Sequence, residues 1–212
     1  MKKYSALIKF FDIILALVLL PLALTAFLLM LAPQLICFGK IFHKSIRTGK
    51  DGKNFIHIKL KSMREAPASS RDILPAGGRA HLEKWRIPLW GRILRKTHLD
   101  EIPEIFSILI GAESFVGPRP LLPEHVALVD SPERQSLKPG WTGYSQIFLK
   151  TRSLLPSRIQ RRLDQKLGRD LNPKLYLKIL WATIFMKKKK PLVPGPTIIS
   201  YRRSIRGENE NS

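Results

Sequence analysis

Residues 13–38 form a run of 26 residues without one charged side chain. As a helix this run is about 39 Å long, against a hydrocarbon core of about 30 Å, so it reads as a membrane segment. A cleavable signal peptide is the rival reading, but the run is longer than an ordinary h-region and no clear small-x-small cleavage site follows it. Lys2, Lys3 and Lys9 precede the run and Lys40, Lys44 and Arg47 follow it, so both ends look cytoplasmic and the positive-inside rule selects no orientation. Pro21 removes a backbone donor and clashes with the preceding turn, which predicts a sharp kink near Leu20. Two arrangements stay open. A helix-break-helix that enters and leaves by the same face reconciles the two basic flanks, while a kinked but ordinary span fits the frequency of proline in membrane helices. Asp12, at the polar edge, is expected to pair with a nearby base in either arrangement. The chain thus divides into a membrane helix over residues 1–40, a membrane-associated domain over 41–190 and a tail over 191–212.

Charge narrows the partners. The 212 residues carry 37 Lys and Arg against 16 Asp and Glu, a formal net charge of +21, which calls for an anionic partner: nucleic acid or the anionic face of a membrane. Residues 1–65 hold 11 basic and 3 acidic side chains, residues 131–212 hold 18 and 5, and residues 66–130 hold 8 of each. Half of all carboxylates therefore sit in the neutral middle, whereas a nucleic-acid binder keeps such groups away from its working surface. Arg158, Arg161, Arg162 and Arg169 are not interleaved with stacking aromatics, so no nucleic-acid partner is expected. The single cysteine, Cys37, allows no intrachain disulfide, and a reducing compartment is the default. P-loop, dinucleotide-binding and HExxH motifs are missing from the sequence, as is any repeat period. His43, His57, His81, His98 and His125 are scattered without metal-ligand spacing and read as structural or solvent-facing.

Residues 47–53 read as a turn and residues 54–61 as a short strand, with Phe55, Ile56, Ile58 and Leu60 among polar partners, so a hairpin is expected there. Residues 85–95 mix Trp90, Ile93 and Leu94 with Arg86, Arg92 and Arg95, the pattern of a helix or amphipathic segment with a basic face. Residues 97–111 read as one helix with Gly111 as its stop. Either Thr97 caps it or Pro103 occupies its first turn, where a missing N–H costs nothing. Both starts put Asp100 and Glu101 at the positive end, which favours ionised carboxylates. Adjacent helical carboxylates point about 100° apart, so one can attack phosphorus while the other holds a divalent cation. A capping box with a solvated acid is the alternative. Pro118 and Pro120 flank Arg119 and restrict the backbone that aims its guanidinium, a fixed fork suited to a diphosphate; an exposed arginine on a rigid turn is the plainer reading. Residues 139–146 combine turn residues with Trp141, Tyr144 and polar groups, suiting a stacked nucleobase or sugar or simply a core. Residues 171–190 mix apolar bulk with Lys174, Lys178 and Lys187 to Lys190, either an interfacial helix on anionic phospholipid or a core helix with a solvated basic end, stopped by Pro191.

Nearly end to end, the sequence resembles the bacterial sugar transferases, the monotopic phosphoglycosyl transferases, in their minimal single-domain form. The likeness lies in Lys9-Phe10-Phe11-Asp12, Pro21, Lys59-Leu60-Lys61-Ser62-Met63, the block from Gly91 to Pro103, Val116-Gly117-Pro118-Arg119-Pro120 and Pro139-Gly140-Trp141-Thr142-Gly143. The resemblance implies an α/β fold of mainly helical content: a Pro-kinked re-entrant helix and a small membrane-associated catalytic domain with a short β-hairpin. It implies that Asp100 is the nucleophile and that Glu101, with Asp100, holds Mg²⁺. Lys59, Lys61, Arg95, Arg119, Thr142 and Gln146 are the implied substrate contacts. The implied reaction moves a phosphosugar from a UDP-sugar to a polyprenyl phosphate such as undecaprenyl phosphate, through an aspartyl intermediate and with release of UMP. Its implied place is the cytoplasmic face of a bacterial inner membrane, as a first membrane step of glycan synthesis. The chain departs from the pattern at Leu60-Lys61, where Phe-Arg is usual, and a lysine cannot repeat a bidentate contact. It departs again after Gln146, at His98, and at Glu113, where a methionine is common. Those departures keep open an impaired, scaffold-like member, and the charge keeps open a membrane-tethered nucleic-acid binder.

Overall fold

The computed structural model describes residues 5–65, 86–127, 129–148 and 157–185. Helix α1 (Ala6–Phe38) starts at Ser5, whose hydroxyl accepts from the Leu7 N–H, and stops at Gly39, whose φ of 63° suits a residue without a side chain. It stays helical through Pro21 and Pro33. The Thr25 hydroxyl donates back to the Pro21 carbonyl at 3.0 Å, a bond that bends helices. Among the described residues α1 is the one helix long and apolar enough to cross a membrane.

Both halves of α1 are fastened to the folded body. Near its start, Ile8 and Ala16 join Ile105, Ile108, Phe115 and Tyr176 in one apolar core. Buried Asp12 accepts through its Oδ1 from the Ser114 hydroxyl at 2.9 Å, the Phe115 N–H at 3.0 Å and the Tyr176 hydroxyl at 2.8 Å, and Lys138 is a base in electrostatic reach of it. Near the helix's end, Met30 packs with Leu60 and Leu94 in a second core. There Gln34 donates to the carbonyls of Ile41 (3.0 Å) and Lys61 (2.6 Å) and accepts from the Trp90 indole N–H (3.0 Å). Between these anchors the outer face is open, with Val18, Leu22, Leu28 and Leu29 exposed.

The expected hairpin forms from β1 (Phe42–Thr48) and β2 (Asn54–Leu60), antiparallel, with Arg47 opposite Phe55 and His43 opposite Lys59. The single helix expected over residues 97–111 is instead three pieces. Helix α2 (Leu89–Thr97) ends where His98 turns left-handed at φ 60°, a 3₁₀ turn follows at Leu99–Glu101, and α3 (Glu104–Leu109) begins after Pro103. The proline start is thus the one realised, and Thr97 closes a helix rather than opening one. Gly111, at φ 81°, ends the segment as expected.

A second sheet, not expected from the sequence, pairs β3 (Ser114–Val116) parallel with β4 (Gly140–Thr142). The motif glycines make it possible. A Cβ on Gly117 would stand 2.1 Å from the Lys138 carbonyl, one on Gly140 2.2 Å from the Gly117 nitrogen, and one on Gly143 2.3 Å from the Gly117 carbonyl. Backbone lies on backbone there, and only glycine allows it. Short helices α4 (Pro123–Val126) and α5 (Pro132–Gln135) precede β4, and α6 (Tyr144–Phe148), α7 (Ser157–Asp170) and α8 (Pro173–Phe185) follow it. The architecture is therefore mainly helical with two small sheets. Helix α8 buries Tyr176, Ile179 and Ala182 but leaves Leu177, Trp181, Ile184 and Phe185 exposed, so it combines a core face with a second apolar face. Lys187 to Lys190, Pro191 and the tail over residues 191–212 lie outside the described residues.

Candidate active site

The turn at Leu99–Glu101 puts Asp100 and Glu101 between α2 and α3, and β2 lies alongside. Asp100 is buried and Glu101 is partly buried. Alternation along β2 sends His57 and Lys59 to one face, towards α3. There the Lys59 ammonium donates to Glu101 Oε1 at 2.6 Å and lies 2.9 Å from Glu104 Oε1. His98 Nδ1 lies 3.5 Å from the other oxygen, Glu101 Oε2. Burial alone would raise the Glu101 pKa, but His98 and Lys59 outweigh it and hold the group at about 2, so Glu101 is ionised at any physiological pH. Lys59 is the reciprocal case: burial lowers its pKa, Glu104 and Glu101 raise it further, and it stays a cation.

Behind Lys59 the charges continue inward. His57 Nε2 lies 3.2 Å from Glu104 Oε1 and His57 Nδ1 lies 3.2 Å from Glu113 Oε1, all three groups being buried. The backbone puts Glu113 there by a tight return, in which the N–H groups of Ala112 and Glu113 both donate to the Ser107 carbonyl. Ligand atoms of His57, Glu104 and Glu113 lie within 4.8 Å of one another, a spacing compatible with a divalent metal. Asp100 and Glu101, at the near end of this group, add carboxylate oxygens, hard donors of the kind that divalent cations such as Mg²⁺ accept.

Arg119 is exposed. Its backbone is braced from beneath: the Arg134 guanidinium donates to the Arg119 carbonyl at 2.6 Å and also pairs with buried Asp164. Burial pushes the Asp164 pKa up to about 6 against the pull of Arg134. The hairpin reaches the same loop, because the Thr48 N–H donates to the Leu121 carbonyl at 3.0 Å. Arg47, one residue earlier, has its pKa lowered by burial and then by the Arg119 guanidinium, so two arginines share this edge.

The remaining expected contacts are placed differently. Arg95 donates to the Ser62 hydroxyl at 2.9 Å and Lys61 to Glu65 Oε1 at 3.1 Å, both at the end of β2. Thr142 is buried with its hydroxyl 2.6 Å from that of Thr183. Gln146 donates to the Gly140 carbonyl at 3.1 Å and accepts from the Ser145 hydroxyl at 2.8 Å. Both side chains brace β4. His57, Glu104 and Arg47 were not expected at the site. The alternation of β2, which aligns His57 with Lys59, was the signal that could have found the first of them.

Comparison with known proteins agrees with the motifs. A model of the bacterial sugar transferase family matches residues 3–190. The chain is 36% identical over 109 residues to EpsL of Bacillus subtilis (strain 168), an uncharacterized sugar transferase, covering 50% of each protein. It is 34% identical over 114 residues to a UDP-glucose:undecaprenyl-phosphate glucose-1-phosphate transferase of Xanthomonas campestris pv. campestris, covering 51% of this chain and 23% of that protein. It is also 34% identical over 155 residues to the exopolysaccharide production protein ExoY of Rhizobium meliloti (strain 1021), covering 65% of this chain and 66% of that one. This chain belongs to the bacterial sugar transferase family. It matches half or less of the length of the first two of these relatives and about two thirds of the third.

Proposed function

We propose that this chain is a phosphoglycosyl transferase that moves a sugar phosphate from a UDP-sugar to a polyprenyl phosphate, of which undecaprenyl phosphate is the first candidate. The observation that carries the reading is the buried Asp100 beside an ionised Glu101, joined through Lys59 to the sheet that also reaches the Arg119 loop. An Asp100 carboxylate oxygen attacks the sugar-bearing phosphorus, a P–O bond to aspartate forms, and the P–O bond to UMP breaks. The phosphate oxygen of the lipid then attacks the same phosphorus and releases Asp100 as the free carboxylate. Glu101, with Asp100, holds Mg²⁺, which when bound neutralises charge on the transferring phosphoryl group. Arg119 and Arg47 receive the diphosphate, and the Arg134 brace fixes the backbone from which Arg119 reaches out. Lys61 and Arg95 lie at the end of β2, where they meet the second anion. Thr142 and Gln146 act through the loop they stiffen.

The membrane arrangement we propose is re-entrant, with the catalytic domain on the cytoplasmic face of the inner membrane. It is supported by the burial of Ile8, Asp12 and Ala16 at one end of α1 and of Met30 and Gln34 at the other against the same body. A straight span would carry one of those ends away. The basic surface then collects two anions, one soluble and one confined to the bilayer.

The test is a panel of UDP-sugars incubated with the protein in lipid nanodiscs, Mg²⁺ and undecaprenyl phosphate, scored for UMP release. One donor giving lipid-dependent UMP that is lost in Asp100→Asn supports the reading. Release from no donor overturns it.

A further inference from the structure

We propose that His57 and Glu113 are positioning residues for Glu101. Together with Glu104 and Lys59 they form a buried row of alternating charge that holds the Lys59 ammonium on the Glu101 carboxylate. The inference rests on the transferase reading above, which gives Glu101 its task.

The row runs Glu113, His57, Glu104, Lys59, Glu101, with successive contacts of 3.2, 3.2, 2.9 and 2.6 Å. It begins at Glu113, 0% exposed, passes His57 at 3% and Glu104 at 2%, and surfaces at Lys59 and Glu101. The imidazole sets its charge pattern. Each ring nitrogen faces a different carboxylate oxygen, and only a ring with protons on both can offer an N–H to each. With both carboxylates ionised, a neutral ring would turn a lone pair onto one of them. Burial by itself would lower the His57 pKa, but Glu104 and Glu113 more than offset it and raise the group above its ordinary value.

Glu104 is the pivot, because one oxygen, Oε1, faces both His57 and Lys59. If His57 let go, Glu104 would face Lys59 alone and could draw the ammonium off Glu101. Glu113 prevents this by holding the ring from the far side. Both Glu113 oxygens, His57 Nδ1 and Glu104 Oε1 are buried without a hydrogen bond of good geometry, so the inner contacts act as close charge pairs, and Glu113 is poorly placed as a device for stability alone. The imidazole directs its two nitrogens at two different carboxylates, an arrangement that one ion bound by both would not need.

Two variants test the row. His57→Leu/Glu113→Met removes both inner charges together and leaves no orphaned ion; Glu113→Gln is the isosteric alternative if the double variant fails to fold. Expected for either is a fall in kcat of about tenfold, KM for the UDP-sugar within twofold of wild type, and a higher Mg²⁺ concentration for half-activation. An unchanged kcat in a folded variant overturns the proposal, as does a loss confined to KM. Selective ¹⁵N-histidine NMR reads the ring without turnover: the His57 titration midpoint should be higher in the wild type than in Glu113→Gln. A wild-type midpoint no higher than that of the variant overturns the row, even if the protein transfers no sugar and the functional reading has failed on its own account. Stoichiometric Zn²⁺ binding to the wild type that the double variant loses also overturns it.

Discussion

Two buried acids show how differently this fold treats a carboxylate. Asp12 accepts from two hydroxyls and one backbone N–H that join α1 to β3 and α8. Glu104 is surrounded by cations, which it shares with Glu101 on one side and Glu113 on the other. Buried hydrogen-bond donors from three separate residues make a rivet, since each would be left unsatisfied if the acid went. Shared cations make a balance, in which moving one charge moves the next. The fold uses the first where it holds the long apolar helix α1 and the second where we place the chemistry.

The sharpest contrast comes from disabling one region while sparing the other. Asp100→Asn should lower turnover by at least about a thousandfold, because an amide is a very poor nucleophile towards phosphorus, and should leave the unfolding midpoint near that of wild type. UMP release and thermal denaturation of the same sample check both halves. Residual turnover within tenfold of wild type would remove Asp100 from the role of nucleophile.

Asp12→Ala is the mirror image. Three donors lose their acceptor at a buried site, at about 1–3 kcal/mol each, so stability should fall by roughly 3 kcal/mol or more. For a domain of this size that is a drop in Tm of about 6 °C or more. Turnover per folded molecule at low temperature should survive. If activity falls while Tm holds, Asp12 is no rivet and the contrast between the two acids fails.

Arg119→Lys probes the exposed edge. It keeps the charge and loses the planar fork, so KM for the donor should rise about tenfold with Tm unchanged. Equal kinetics would show that charge alone matters there.

The sequence revealed the two regions unequally. The Asp100-Glu101 pair, the proline-flanked Arg119 and the glycines of the two loop motifs could be read because each depends on neighbours within a few residues. The hairpin was readable from alternation along residues 54–61. The split of residues 97–111 was hidden, because nothing in a helical pattern announces that His98 will turn left-handed. Strands β3 and β4 are three residues each, too short for a period to show. The pairing of His57 with Glu113 spans 56 positions and links a strand to a loop, so no local pattern carries it. Its single trace was the acid at position 113 where the family commonly has methionine.

A smaller effect separates rivet from balance by pH. The folded-state pKa of His57 is raised, so its stabilising contribution is complete below about 6.5 and fades as pH climbs through the raised value. Glu113 has its pKa raised by burial and by Glu104, so ionising it also costs stability as pH rises, and the two signs agree. The groups around the ring are Glu104 from α3, Glu113 before β3, Lys59 from β2 and His43 from β1, whose own pKa is lowered by burial and by nearby cations including His57. Wild-type Tm should therefore fall by a few degrees from pH 6 to pH 9. His57→Leu/Glu113→Met should flatten that slope. An equal slope in both proteins would assign the dependence elsewhere.

The smallest expected effect lies on α8, whose exposed face of Leu177, Trp181, Ile184 and Phe185 continues past its buried side. Trp181 and Phe185 stack with ring centroids 4.0 Å apart, a compact aromatic pair of the kind that settles at a lipid headgroup boundary. Because α1 supplies most of the apolar surface, Trp181→Ser/Phe185→Ser should weaken partition into anionic vesicles only about two- to fivefold. Flotation with matched neutral vesicles separates the two forces: the aromatic loss should appear with both lipids, whereas the basic surface should matter only with the anionic one. No change with either lipid would mean that α8 faces water and that α1 alone holds the protein to the bilayer.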